Sequence, residues 1–321
     1  MPSSAALQPS QPVALTTEQL TAYLARLRLP PTTSLLLPPD LPTLSLLHKA
    51  HYFSIPFETL SLHFDPHGGV ETGRDHTRPP ISPNLNDIYD KIVIRRRGGY
   101  CIEHNTLFIA ALRKLGFNVR PALARAVRDG KWFGISHFIG LVHIPTPTDP
   151  TPTGPTPSSI HLIDVGYGYR GPVLPLPLSG LPQSHPSQGT NRITLHTSTT
   201  SYPGCEDDVF AAPGEWGVPD LYVMEHRANK SGAEWTQQYA FYTTPVTRTD
   251  IEMSNWYSCT HPAAVWVRGC TVKMHDEREG ATVFYEGALK RYDARGEVVE
   301  SREVARAEWR KLVEGEFGVR F

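Results

Sequence analysis

Apolar positions recur at helical spacing through the first third of this 321-residue chain, then change to strand spacing from about residue 119. Thr16, Thr17, Glu18 and Gln19 have capping-box spacing, and Leu20, Tyr23, Leu24 and Leu27 follow on one face until Pro30-Pro31 ends the run. Leu41 to Phe53 predicts a second helix. Asn84 caps a third, with Leu85, Ile88, Tyr89 and Ile92 inward. Cys101 opens a fourth, in which Ile102, Leu107, Phe108, Ala111, Leu112 and Leu115 keep the period and Gly116 supplies the stop. Residues 65 to 83, rich in Gly, Pro, His and Asp, read as a surface loop.

Strands are expected at Val119 to Val127, Trp132 to Ile144, Ile160 to Val165 and Ile193 to His196. Between the second and third lies a Pro/Thr tract at 145–158, too proline-rich for a sheet interior and so an exposed, extended hairpin loop. Pro182 to Gly189 reads as another loop. Residues 220–228 and 235–243 should hold short helix and strand. Ala264 to Val272, Thr282 to Glu286 and Leu289 to Tyr292 read as antiparallel strands, with turns at 275–280 and 293–296. Ser301 to Glu314 predicts an amphipathic helix with Val304, Trp309 and Leu312 inward. The pattern divides the chain into a helical part (1–117), a strand-rich part (118–218) and a mixed part (219–321).

Composition narrows the class. Thirty-one Lys and Arg against 32 Asp and Glu leave a net charge of -1, which points to neither nucleic acid nor an anionic membrane. Met1 to Val13 lacks the basic and apolar blocks of a signal peptide, and no apolar run approaches a membrane span. Cys101, Cys205, Cys259 and Cys270 show no metal-site spacing. A nucleophilic thiol needs a reducing compartment, so the cytoplasm is the expected location.

Cys101 is the residue with chemistry in prospect. It follows Gly98-Gly99 at a helix start, where the helix dipole and free backbone N–H groups favour a thiolate, and Arg95, Arg96 and Arg97 add positive charge. Its bland reading is a small buried core residue. His137 falls at or in a strand, and Asp164 interrupts the apolar run Ile160 to Val165, where a carboxylate is costly unless paired. Read alone, His137 could be a hydrogen-bonded strand histidine and Asp164 a turn former before Gly166. Together the three suit a nucleophile, a base and an orienting carboxylate.

The motifs resemble those of the arylamine N-acetyltransferase family. Arg97 to Asn105 matches its Arg-Gly-Gly-x-Cys-x-Glu-x-Asn segment without a break. Ile55-Pro56-Phe57-Glu58-Thr59-Leu60 matches an upstream segment, with Thr59 in place of asparagine, and Asp164-Val165-Gly166-Tyr167-Gly168 matches another, with tyrosine for phenylalanine. Tyr169 stands where many relatives carry a further glycine.

The resemblance implies an α+β fold: an N-terminal helical bundle, a central β-barrel and a C-terminal α/β lid around a cysteine-protease-like Cys-His-Asp core. It implies a ping-pong reaction in which Cys101, held as a thiolate by His137 and Asp164, takes an acyl group from acyl-coenzyme A and passes it to an arylamine or arylhydrazine. Neither a permanently bound cofactor nor a metal is implied. Gly134, Ile135, Ser136, Gly166, Tyr167 and Gly168 would border the donor, and Phe57 and Tyr167 the acceptor. Arg97, Glu103 and Asn105 would be structural supports, Glu103 and Asn105 holding the turn and Arg97. Acetyl ranks ahead of malonyl as the acyl group; a malonyl carboxylate would want a cation, with Arg170 and His104 as candidates. The competing readings are a Cys-His-Asp thiol hydrolase or transglutaminase-like enzyme, and a non-catalytic binding protein of the same fold.

Overall fold

Thr16 accepts from the Gln19 backbone and starts helix α1 (Thr17–Arg26), which buries Leu20, Tyr23 and Leu24. Asp40 caps α2 (Leu41–Ser54) through the Thr43 N–H, and Asn84 caps α3 (Leu85–Tyr89), which continues into a wider π-helical turn, Asp90–Ile94. These pack with α4 (Cys101–Lys114), whose Ile102, Leu107, Phe108 and Leu112 are wholly buried. Each such side chain contributes about 1.5–3 kcal/mol of transfer free energy, so the helices are held by this core rather than by their short lengths. The computed structural model describes residues 14–30, 37–64, 79–128, 131–145, 159–196, 221–278 and 280–320. Most of the expected loop at 65–83, nearly all of the Pro/Thr tract and Cys205 lie outside the described residues.

Two antiparallel sheets follow. β2 (Asn118–Arg128) and β3 (Lys131–His143) form a long hairpin, extended by β4 (Ile160–Ile163) and β5 (Leu176–Pro177) on one side. On the other side β2 pairs with β9 (Thr236–Phe241), then come β8 (Leu221–Arg227), β7 (Gly189–His196) and β6 (Gln183–His185). The eight strands curl into a nearly closed, barrel-like sheet in which β5 approaches β7. Its interior is apolar, built on Leu141, Leu162, Ile193, Met224 and Tyr239.

A second, five-stranded sheet joins β1 (Phe57–Glu58) to β10 (Thr271–Asp276), β11 (Gly280–Tyr285), β12 (Ala288–Tyr292) and β13 (Val298–Glu303). Helices α5 (Arg248–Thr260) and α6 (Val265–Arg268) precede it, and α7 (Trp309–Phe317) covers it through Leu312, Val313 and Phe317.

The α+β architecture agrees with the expectation, and several local expectations are corrected. Residues 183–185, read as loop, pair with β7 because their backbone bonds to Gly189–Asn191 close a tight hairpin. Residues 221–227 and 236–241 are both strands and belong to the eight-stranded sheet rather than to the mixed C-terminal part. Ala264 to Val272 is not one strand: Ala264 flanks the short helix α6, and only from Thr271 does the chain extend. The helix expected from Ser301 starts at Trp309, because residues 298–303 are held by β12.

Candidate active site

Cys101 occupies the first turn of α4, 3 % exposed, where its backbone N–H has no partner within the helix. The turn leading to it is cramped, not merely flexible. A Cβ on Gly98 would lie 1.9 Å from the Pro56 carbonyl oxygen, and one on Gly99 would lie 2.8 Å from Glu103 Cβ. The turn is anchored from below by buried charges. Glu103 accepts from the Tyr100 N–H at 3.1 Å and from Lys91 Nζ at 2.8 Å, and Glu58 accepts from Arg97 at 3.0 Å. Lys91 also reaches Glu58 at 3.4 Å, so two cations and two carboxylates alternate. Burial opposes the Glu58 charge, but Lys91 and Arg97 outweigh it and bring its carboxyl down to about 2. Arg97 is thus held by Glu58; the expectation that Glu103 and Asn105 hold it is replaced by this pairing.

Asn105 instead turns toward the strands. Its amide donates to the Phe138 carbonyl at 2.6 Å and to Asp164 Oδ1 at 2.9 Å, while its oxygen accepts from the Val165 N–H at 3.0 Å. Asp164, fully buried, also accepts from the Gly166 N–H at 3.0 Å and from His137 Nε2 at 2.7 Å. With Nε2 given to Asp164, His137 has Nδ1 left for the Cys101 thiol, which lines the same cavity and acts with Asp164 on the imidazole charge. Burial disfavours the imidazolium, but the charge and hydrogen bond of Asp164, with Cys101, raise His137 to about 10. Asp164 shifts the opposite way: burial is outweighed by His137, Asn105 and the Gly166 N–H.

His48 completes this shell. Its Nε2 accepts from the Asp164 N–H at 3.1 Å while Nδ1 donates to the Val173 carbonyl at 2.9 Å, which fixes a neutral ring; burial takes it down to about 4. His104 lies deeper, between His51 and the Pro56 carbonyl, and burial likewise lowers it to about 4. It is neutral and occupied, so it is no partner for a donor carboxylate.

A cavity of about 230 Å³ opens on Cys101 and His137. Gly134, Ser136, Gly166 and Tyr167 line it as expected for donor contacts, and Phe57 forms part of its wall. Ile135 departs: it is 45 % exposed and does not line the cavity. Gly168 packs beside Phe57 and Lys273 instead. Gly166 must be glycine for contact reasons, since a Cβ there would stand 2.7 Å from Cys101 Cα. The sequence reading missed Trp266, Lys273 and Gln238, which complete the wall from the last third of the chain. No local motif marks them; only the pairing of β10 with β1 brings Lys273 to Phe57.

A family model described as N-acetyltransferase matches residues 40–321. An arylamine N-acetyltransferase of Mycobacterium tuberculosis is 31 % identical over 257 residues, covering 79 % of this chain and 74 % of that relative. The chain belongs to the arylamine N-acetyltransferase family. A solved arylamine N-acetyltransferase of Mycobacterium smegmatis superposes with a TM-score of 0.70 at 26 % identity, over 94 % of this chain and 92 % of that one. An N-malonyltransferase of Gibberella moniliformis is 29 % identical over 258 residues, 74 % of this chain and 64 % of the relative. Membership makes the protein an acyltransferase and sets aside the hydrolase and non-catalytic readings. Among the described residues no helix is long and apolar enough to cross a membrane.

Proposed function

We propose that Cys101, His137 and Asp164 carry a two-step N-acyl transfer from acyl-coenzyme A to an arylamine or arylhydrazine. The supporting observation is the buried Asp164–His137 pair at 2.7 Å, set with the thiol of Cys101, at a helix start, in the wall of one cavity. The Cys101 sulfur attacks the thioester carbonyl carbon and forms a new C–S bond. The old C–S bond breaks, and the coenzyme A sulfur leaves with the proton held on His137. An aniline nitrogen, neutral at ordinary pH, then attacks the acyl-Cys101 carbonyl. The C–N bond forms, the Cys101 thiolate leaves, and the amine proton returns to His137. The oxyanion of each tetrahedral intermediate is received by the Cys101 backbone N–H. Asp164 fixes the imidazole tautomer and balances its charge throughout. Phe57 and Tyr167 bound the acceptor side, and Gly134, Ser136 and Gly166 the donor side. A free thiol working this way fits a reducing, cytoplasmic setting.

The test is intact mass after mixing the protein with acetyl- or malonyl-coenzyme A in the absence of amine. An adduct on Cys101, discharged as an amide by aniline, is expected. An adduct lost to water with aniline ignored, or none from either donor, overturns the proposal.

A further inference from the structure

Acetyl and malonyl donors differ by one carboxylate, so the charged groups around the Cys101 cavity decide between them. Among the described residues lining it there is no Asp or Glu, and the cations besides His137 are Arg268 and Lys273. Arg268 ends α6 and is exposed to solvent. Lys273 is half-buried, with its ammonium 5.1 Å from the Phe57 ring centroid and 5.6 Å from that of Trp266. Arg170, a candidate from the sequence, lines only the neighbouring cavity, which shares Tyr169, Trp266 and Lys273 with the Cys101 cavity.

The backbone holds Lys273 where it is. Thr59 bonds Thr271 twice, its N–H donating to the Thr271 carbonyl at 3.0 Å and its Oγ1 accepting from the Thr271 N–H at 3.0 Å. This clasp sets the register in which Phe57 faces Lys273 across β1 and β10. Thr59 is the one departure from the family motif in that segment. Gly168 clears the space: at φ +84°, it would place a Cβ 3.1 Å from Lys273 Cδ and 3.5 Å from Nζ.

Cys101 and Lys273 line the same cavity. Gly166 abuts Cys101 and Gly168 abuts Lys273, and two residues of chain span at most about 7 Å. A half-buried ammonium beside two aromatic rings, in a wall without acidic side chains, attracts an anion.

We propose that Lys273 binds the free carboxylate of a malonyl donor and makes this enzyme select malonyl- over acetyl-coenzyme A. This rests on the acyl-Cys101 reading above. The closing experiment measures kcat/KM for both donors, with one aniline acceptor, in the wild type, Lys273→Met and Lys273→Arg. The wild type is expected to favour malonyl. In Lys273→Met the malonyl-to-acetyl ratio should fall by about tenfold or more, and Lys273→Arg should restore most of it. A wild type that favours acetyl overturns the proposal, as does an unchanged ratio in a folded Lys273→Met. Equal loss for both donors overturns it too. If the wild type forms no adduct on Cys101 with either donor, the acyl-transfer reading fails instead. The wild-type ratio and the Lys273→Arg protein decide the matter even if Lys273→Met does not fold.

Discussion

Asn105 and Asp164 are 2.9 Å apart, and through that hydrogen bond the helix that presents the thiol is tied to the segment that orients the imidazole. Asn105 lies four positions after Cys101, about one helical turn, so both project toward the strands. Asn105 also satisfies the Phe138 carbonyl and the Val165 N–H, one on each of the two chain segments that carry the rest of the site. Asn105→Ala should leave these groups short of partners at a cost of about 1–3 kcal/mol. Turnover should fall further than stability alone explains, because Asp164 loses a restraint. Denaturant unfolding and kcat/KM measured together check this; full activity in a destabilised protein would reduce Asn105 to a packing residue.

Asp164 supplies the main influences that hold His137 at about 10. In Asp164→Asn those influences vanish while burial remains, so the imidazole should titrate well below 10 and turnover should drop by about 10² or more. NMR of labelled histidine reads the first effect directly. An unchanged His137 titration would mean that another group holds the proton.

Much of this site was legible in the sequence, and what was not has a common cause. Cys101, its helix and the carboxylate at Asp164 are local: each is marked by residues within ten positions. The role of Asn105 was misread because its partners, Phe138 and Val165, lie 33 and 60 residues away. Lys273 was invisible for the same reason, since its neighbour Phe57 is on the far side of the chain. The helix expected from Ser301 looked sound by periodicity, but β12 offers 298–303 a full set of backbone partners. Tertiary pairing overrode local preference there.

Stability should peak near neutral pH. His48, His51, His104 and His275 are wholly buried, and burial lowers all four, His48 and His104 to about 4 and His275 to about 3. The unfolded chain protonates them first, so their contribution is complete above about 6.5 and is lost as pH falls toward 4. Each costs about 1.4 kcal/mol per pH unit within that window. Glu58 follows at lower pH, its share lost between 4.5 and about 2. His137 is raised, so its share is present below 6.5 and lost as pH rises toward about 10. Urea midpoints from pH 5 to 9.5 test the bell shape; a flat profile between 7.5 and 5.5 would contradict neutral buried histidines.

Gly166→Ala tests the closeness on which the site depends. The added Cβ would meet Cys101 Cα at 2.7 Å, the Cys101 carbonyl oxygen at 3.0 Å and Asn105 Nδ2 at 3.1 Å. Two of these are helix backbone, which cannot rotate aside, so the Asp164–Tyr167 segment must move off the helix. That shift stretches the Asn105, Asp164 and His137 contacts together. The expected result is about 1–3 kcal/mol of destabilisation and a fall in kcat/KM of about tenfold or more. Gly315→Ala is the control. It lies in α7, where a Cβ meets nothing within 4 Å, so helix preference should stabilise the protein by about 0.5–1 kcal/mol with turnover unchanged. Adding Asn105→Ala to Gly166→Ala should cost less than the two separate losses combined, because both loosen one junction. Strict additivity would show that the helix and the Asp164 segment are not coupled through Asn105.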